Sequence, residues 1–171
     1  VTGIALGALT FRYFSEAMIR VVLGAMALAF VAHRLRQGGT NAPAVTGSRA
    51  KGFFWSTLSG LASTIAHAGG PPLSVYLLPQ KLDKAVLVGT TVVFFAVINA
   101  VKLVPYAWLG LLDARNLATS LVLAPLAPVG IGLGVWLMRR MSQELFYRVA
   151  YAMLVLVGMK LLWDGVRGLA A

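Results

Sequence analysis

Polar and apolar positions fall in long blocks along this chain rather than in short alternation. Apolar runs over Ala17–Ala32, Ala85–Leu103, Leu117–Leu137 and Leu145–Trp163 are separated by short polar or basic clusters. A helix that crosses a bilayer needs ~20 mostly apolar residues, and these four runs meet or approach that length. A further run, Val1–Phe11, reads as the tail of a span closed by Arg12. Helix starts are marked by Ser15, by Asp83 before Lys84 or Ala85, by Asp113 before a helix over 114–138, and by Ser142 with Gln143 and Glu144 beside it. A short side-chain oxygen at such a place accepts from an unpaired N–H of the first turn. His33, Arg34 and Arg36 close one run, and Arg139 and Arg140 another. Pro105 ends or kinks the helix from Ala85, with Tyr106 and Trp108 as interfacial aromatics, while Pro125 and Pro128 kink the helix over 114–138. Gly24 and the alanines around it make a face for close helix packing. Asp164–Ala171 reads as a short tail.

One stretch departs from this pattern. Phe53–Ile65 leads into His67-Ala68-Gly69-Gly70-Pro71-Pro72, and Leu73–Leu78 leads out. Gly69 and Gly70 are free to take positive φ and leave backbone open. The prolines lack an N–H, and Pro71 biases Gly70 away from the α region. Proline also suits the first turn of a new helix. The expected structure is a helix, a break at Ala68–Pro72, and a second short helix. The flanks are nearly free of charge for a membrane thickness, and broken backbone at that depth must be buried in protein or line a cavity. The break is therefore the first candidate for a binding site.

Composition supports the membrane reading. Only 12% of residues are charged and mean hydropathy is +0.83, against about 25% charged in a soluble domain. The net charge of +10 sits in clusters between apolar runs and forms no continuous face, which argues against nucleic acid. Lysine and arginine at the borders of spans record orientation instead. The chain has no cysteine and two histidines, His33 and His67, of which His33 reads as interfacial. It shows no nucleophile beside a base, no metal-ligand spacing and no phosphate loop, so neither an enzyme nor a cofactor is expected. It starts at Val1, inside an apolar run and without signal-peptide features, which suggests a fragment that has lost N-terminal spans.

An internal repeat is visible. Gly3-Ile-Ala-Leu-Gly7 matches Gly130-Ile-Gly-Leu-Gly134, with Arg12 on Arg139 and Ser15 on Ser142. One residue of slippage brings Glu16 onto Glu144 and Arg20 onto Arg148. Repeats in transporters are often inverted in the membrane, with substrate bound where they meet. If 53–79 dips in and returns, then Arg34, Arg36, Arg49, Lys51, Lys81, Lys84, Arg139 and Arg140 share one side, against Arg12, Arg115 and Arg167. If it crosses once, the division is six against five. The positive-inside tendency prefers the first arrangement, which also inverts the repeat. The domain reading is 1–36 as the end of a first repeat, 37–51 as a cytoplasmic linker, and 52–171 as a second repeat. Within that second repeat lie a broken helix over 52–79 and helices near 85–104, 114–138 and 144–163.

The His67–Pro72 break, the helix with Thr90, Thr91, Asn99 and Lys102, and the glycine-rich helix before Arg139-Arg140 together resemble the sulfite exporter TauE/SafE family of membrane permeases. The resemblance implies an all-α, multi-pass protein of the bacterial inner membrane. It also implies secondary transport of sulfite, sulfonates or related small organic anions, and a two-halved molecule of which this chain holds the end of the first half and all of the second. The missing half, or a second copy of the chain, would then be a partner alongside the lipid bilayer and the anion.

Each candidate residue has two readings. His67 is a ligand or proton carrier, or a packing histidine. Gly69 and Gly70 offer backbone N–H groups at a helix start to an anion, with Pro71 lining the same site, or the stretch forms a plain kink. Ser74 lines that cavity or bonds nearby backbone, as does Tyr76. Thr90 and Thr91 bind substrate or bond a carbonyl one turn back. Asn99 needs a partner in protein or substrate. Lys102, three residues on and on the same face, neutralises an anion or snorkels to the interface. Two functions follow: a secondary anion transporter, or a non-transporting membrane subunit or half-unit that needs a partner chain.

Overall fold

The structure, a computed structural model, describes residues 3–4, 15–108 and 114–170. Their secondary structure is helical, with no strand among them. The helices are α1 (Glu16–Arg36), α2 (Arg49–Ile65), α3 (Gly70–Leu77), α4 (Lys84–Trp108), α5 (Ala114–Leu123), α6 (Leu126–Arg140) and α7 (Gln143–Ala170). Short 3-10 turns lie at Gly39–Asn41 and Leu78–Gln80. Three stretches, α1, Lys84–Val104 of α4, and α7, are long and apolar enough to cross a membrane. This is the expected all-α membrane architecture.

The caps explain where the helices begin. Ser15 Oγ accepts from Met18 N at 3.4 Å, Asp83 Oδ1 from Ala85 N at 2.8 Å, and Ser142 Oγ from Leu145 N at 3.2 Å. One turn into α1 and α7 the same ion pair recurs, Arg20 on Glu16 and Arg148 on Glu144. The two repeat copies thus start their last helix alike. Most of Val1–Phe11, with Arg12, and the expected cap Asp113 lie outside the described residues.

α1 and α7 pack antiparallel along a seam of small residues. A Cβ on Gly24 would stand 2.7 Å from the carbonyl oxygen of Gly158, and one on Gly165 2.8 Å from that of Ala17. At the other end of the seam, Phe30 stacks on Tyr151 with centroids 6.3 Å apart. Equivalent helices of the two copies therefore run in opposite directions, as an inverted repeat requires. α1, α3, α4 and α7 meet around Ala27, Val31, Leu73, Leu77, Leu87, Tyr151 and Leu154.

Three element boundaries differ from expectation. α7 continues past Trp163 to Ala170, with Lys160 paired to Asp164 at 2.8 Å and Arg167 over Trp163, both at i, i+4 spacing. The helix over 114–138 is divided into α5 and α6 at Ala124-Pro125, where Ala124 N and Ala127 N bond carbonyls only three residues back. Pro125 lacks an N–H and its ring displaces the carbonyl four residues earlier, whereas Pro128 falls in the first turn of α6, where no N–H is needed. α4 runs through Pro105 to Trp108.

α2 and α3 form a hairpin that re-enters. Tyr76 Oη donates to Ser48 O at 3.2 Å and Val45 N to Pro79 O at 2.9 Å, so the end of α3 lies beside the start of α2. Lys84 Nζ donates to Met141 O, Gln143 Nε2 to Leu82 O at 2.7 Å, and Tyr147 Oη to Leu82 O at 2.8 Å. The linker 37–48, the Lys81–Lys84 loop and the Arg139-Arg140 turn consequently share one end of the bundle.

Candidate functional site

α2 ends at Ile65 and α3 begins at Gly70, so the non-helical residues are 66–69 rather than Ala68–Pro72. The left-handed residue is His67, with φ 51°, and not either glycine. Gly69 lies in the right-handed region at φ −71°, ψ −16°, and Gly70 is helical. Glycine at position 69 answers a different need. A Cβ there would meet Ser59 O and Ser63 Cβ at 2.8 Å and Phe95 Cε1 at 3.0 Å, so only a bare backbone fits between α2 and α4. Gly70 has nothing within 4 Å of its Cβ position and faces open space. Pro71 and Pro72 are buried in the first turn of α3, where an N–H is not required.

Polar side chains close the hairpin. Ala62 O accepts from both Ala66 N at 3.0 Å and Ala68 N at 3.2 Å. The chain turns left-handed at His67, and no amide continues the helical ladder to Ser63 O. Lys102 takes that place. Its Nζ donates to Ser63 O, and to Ser63 Oγ at 2.7 Å, with the residue 4% exposed. A cation at the C-terminus of α2 is favoured by the helix dipole, and Lys102 does not snorkel. Ser59 Oγ donates to Gly69 O at 2.6 Å, and Thr64 Oγ1 to Gly60 O at 2.8 Å. Ser59 and Ser63 escaped the sequence reading. Their signal was two hydroxyls at i, i+4 in the last turns of an apolar helix that runs into a break.

Depth follows from helix rise. Gly69 lies beside Ser59, ten residues from Arg49, and beside Phe95, eleven from Lys84. At about 1.5 Å per residue that is roughly 15 Å, half of a hydrocarbon core of ~30 Å. The N-terminal end of α3, with its partial positive charge, thus sits near mid-membrane. Gly70, Ser74 and Thr91, with Leu73, Leu87 and Phe95, line a cavity of about 60 Å³ there, the volume of roughly two waters. Thr91 Oγ1 also bonds Leu87 O at 2.9 Å, one turn back.

The expected residues do not all converge. Gly69, Gly70, Pro71, Ser74, Thr91 and Lys102 gather at the hairpin. His67 is exposed near its tip, edge-on to Tyr106 with centroids 6.4 Å apart. Thr90 and Asn99 are exposed on the outer face of α4, so Asn99 and the buried Lys102 do not share a surface despite their spacing. Among the described residues the acids lie near helix ends, Asp83 and Glu144 at the linker end and Glu16 and Asp164 at the other. The hairpin therefore presents a helix N-terminus, hydroxyls and one ammonium with no carboxylate beside them, an arrangement suited to a small anion.

No curated protein and no solved structure matches the chain. The family model for the sulfite exporter TauE/SafE matches residues 1–161. That match takes in α1 to α4, the divided α5–α6 element and most of α7, so the hairpin and both repeat copies fall within it. By its sequence over nearly its whole length, and with a fold of the kind such a protein needs, the chain belongs to the sulfite exporter TauE/SafE family of membrane transporters.

Proposed function

We propose that this protein exports sulfite, sulfonates or related small organic anions across the bacterial inner membrane by secondary transport, and that the anion binds at the α2–α3 hairpin. The observation that carries this reading is the open N-terminal end of α3 in a hairpin that also buries the Lys102 ammonium, bonded to the Ser63 against which Gly69 packs, away from any carboxylate among the described residues. In this reading the α3 dipole and Ser74 meet the anion, Lys102 balances its charge, and Gly70 leaves the approach clear. A charge-assisted hydrogen bond contributes about 1.5–3 kcal/mol, and 1.4 kcal/mol is a factor of ten in affinity. Lys102→Met should therefore weaken sulfite binding by about tenfold or more in the full-length protein, measured by calorimetry, and slow sulfite flux in proteoliposomes. Gly70→Leu, which fills the approach, should also stop flux. Wild-type affinity and rate in both variants would place the site elsewhere.

A second reading, that the chain is a half-unit requiring another half, is favoured by the outer surface. Gly130 and Gly134 in α6 have nothing within 4 Å of their Cβ positions, and Asn99 is exposed on a span. Gly3, the repeat counterpart of Gly130, is seated on α2, where a Cβ would overlap Thr57 O. By the repeat symmetry, α6 should seat on an equivalent hairpin arm supplied by polypeptide outside these residues. A photo-crosslinker at Leu133 should then trap a peptide not found in 1–171. Capture of a second copy of 1–171 would support a homo-oligomer instead, and capture of lipid alone would sink the idea.

A further inference from the structure

The linker end of the bundle holds a second cavity, of about 250 Å³, separate from the one at the hairpin. α1 contributes His33 and Arg34 to it and is followed there by its C-cap Gln37, α2 contributes Lys51 and Trp55, and α3 contributes Tyr76, with no aspartate or glutamate in its lining. Arg34 is only 4% exposed, yet it forms no ion pair among the described residues. Its Nη1 donates to Gln37 Oε1 at 3.1 Å and its Nη2 to Pro43 O at 3.4 Å, while its buried Nε has no hydrogen-bond partner. A guanidinium keeps its charge in a protein and carries five N–H donors. Burying one without a counter-charge is costly, and neutral oxygens meet only two of its donors here. Lys51 adds a second cation without an ion pair. The volume, at about 30 Å³ per water, admits an oxyanion and its first waters.

We propose that this cavity is an oxyanion site in which Arg34 and Lys51 bind a sulfite-, sulfonate- or phosphate-type group. A free anion and the phosphate of a lipid headgroup offer the same chemistry. The inference rests on the charge and burial of this cavity and not on the transport reading.

Trp55 in the lining supplies the readout. Every tryptophan of the full-length protein other than Trp55 is replaced by Phe, Trp108, Trp136 and Trp163 among them, and Trp55 emission is followed in lipid-free detergent during sulfite titration at constant ionic strength. The same emission is followed in phosphatidylcholine nanodiscs with and without phosphatidylglycerol. A saturable response to sulfite identifies a free anion, and one to phosphatidylglycerol a headgroup. In either case Arg34→Gln should weaken it by about tenfold or more. Lys51→Gln, a change at an exposed position that leaves folding intact, should weaken it as well. Lys102→Met should leave it unchanged. The proposal is overturned by no saturable response to either probe, by a response that survives Lys51→Gln, or by one abolished by Lys102→Met. Sulfite flux that persists without any Trp55 response would remove this site and leave the transport reading standing.

Discussion

Two neighbouring glycines at the hairpin have opposite surroundings. Gly69 is wedged against Ser59 O, Ser63 Cβ and Phe95, while Gly70 faces open space. Overpacking a fitted site costs about 1–3 kcal/mol, so Gly69→Ala should lower the thermal midpoint of the purified protein clearly. Gly70→Ala adds a methyl to a helical position with room for it. Gly70 is the first residue of α3 and precedes Pro71, so helix-interior propensity does not apply there, and this variant should lose less than Gly69→Ala. Equal losses from both substitutions would contradict this packing. The sequence pointed to glycines at the turn but not to which residue makes it. His67 takes the left-handed conformation, and Gly69 is needed instead for close approach, a requirement set by α2 and α4 and invisible along the chain.

At the scale of elements, the hairpin decides orientation. The linker 37–48, the Lys81–Lys84 loop and the Arg139-Arg140 turn share one end of the bundle, tied by Tyr76, Gln143 and Tyr147. With Arg34, Arg36, Arg49 and Lys51 they make that end the basic one, and the positive-inside tendency predicts that it faces the cytoplasm. The chain has no native cysteine, so single cysteines report cleanly. Cysteines at Gly47, Leu82 and Met141 should resist an impermeant thiol reagent applied from outside, and labelling at Leu82 alone would mean that the hairpin crosses instead of returning. Tyr147 Oη donates to Leu82 O at 2.8 Å, and a typical hydrogen bond contributes about 1 kcal/mol. Tyr147→Phe should thus destabilise the protein by about that amount in a thermal shift measurement. The division between α5 and α6 had a visible cause in Pro125, yet whether a proline kinks a helix or ends it depends on what packs around it.

Across the whole molecule, the α1–α7 seam holds the two repeat copies together. Gly24 and Gly158 let the backbones approach closely, as small residues do in membrane helix pairs. Gly24→Leu should separate the helices and destabilise the protein by about 1–3 kcal/mol, seen as a lowered thermal midpoint. The same substitution at Gly132, which has nothing within 4 Å of its Cβ position, should leave this seam undisturbed. A larger loss at Gly132 than at Gly24 would refute the assignment of the seam.

By itself the sequence determined the class of the molecule. Apolar run length, capping residues and clustered arginines are local properties, and they specify membrane helices, their starts and the two similar copies. The break was legible for the same reason, because glycine and proline act on their own backbone. The partners were not legible. Whether Lys102 reaches water or Ser63, whether Asn99 faces the hairpin or the surface, and whether 53–79 crosses or returns depend on contacts between residues tens of positions apart. Helical periodicity restricts a side chain to one face of its helix, but only the packing of α4 against α2 decides which face is covered. That packing buried Lys102 and left Thr90 and Asn99 outside.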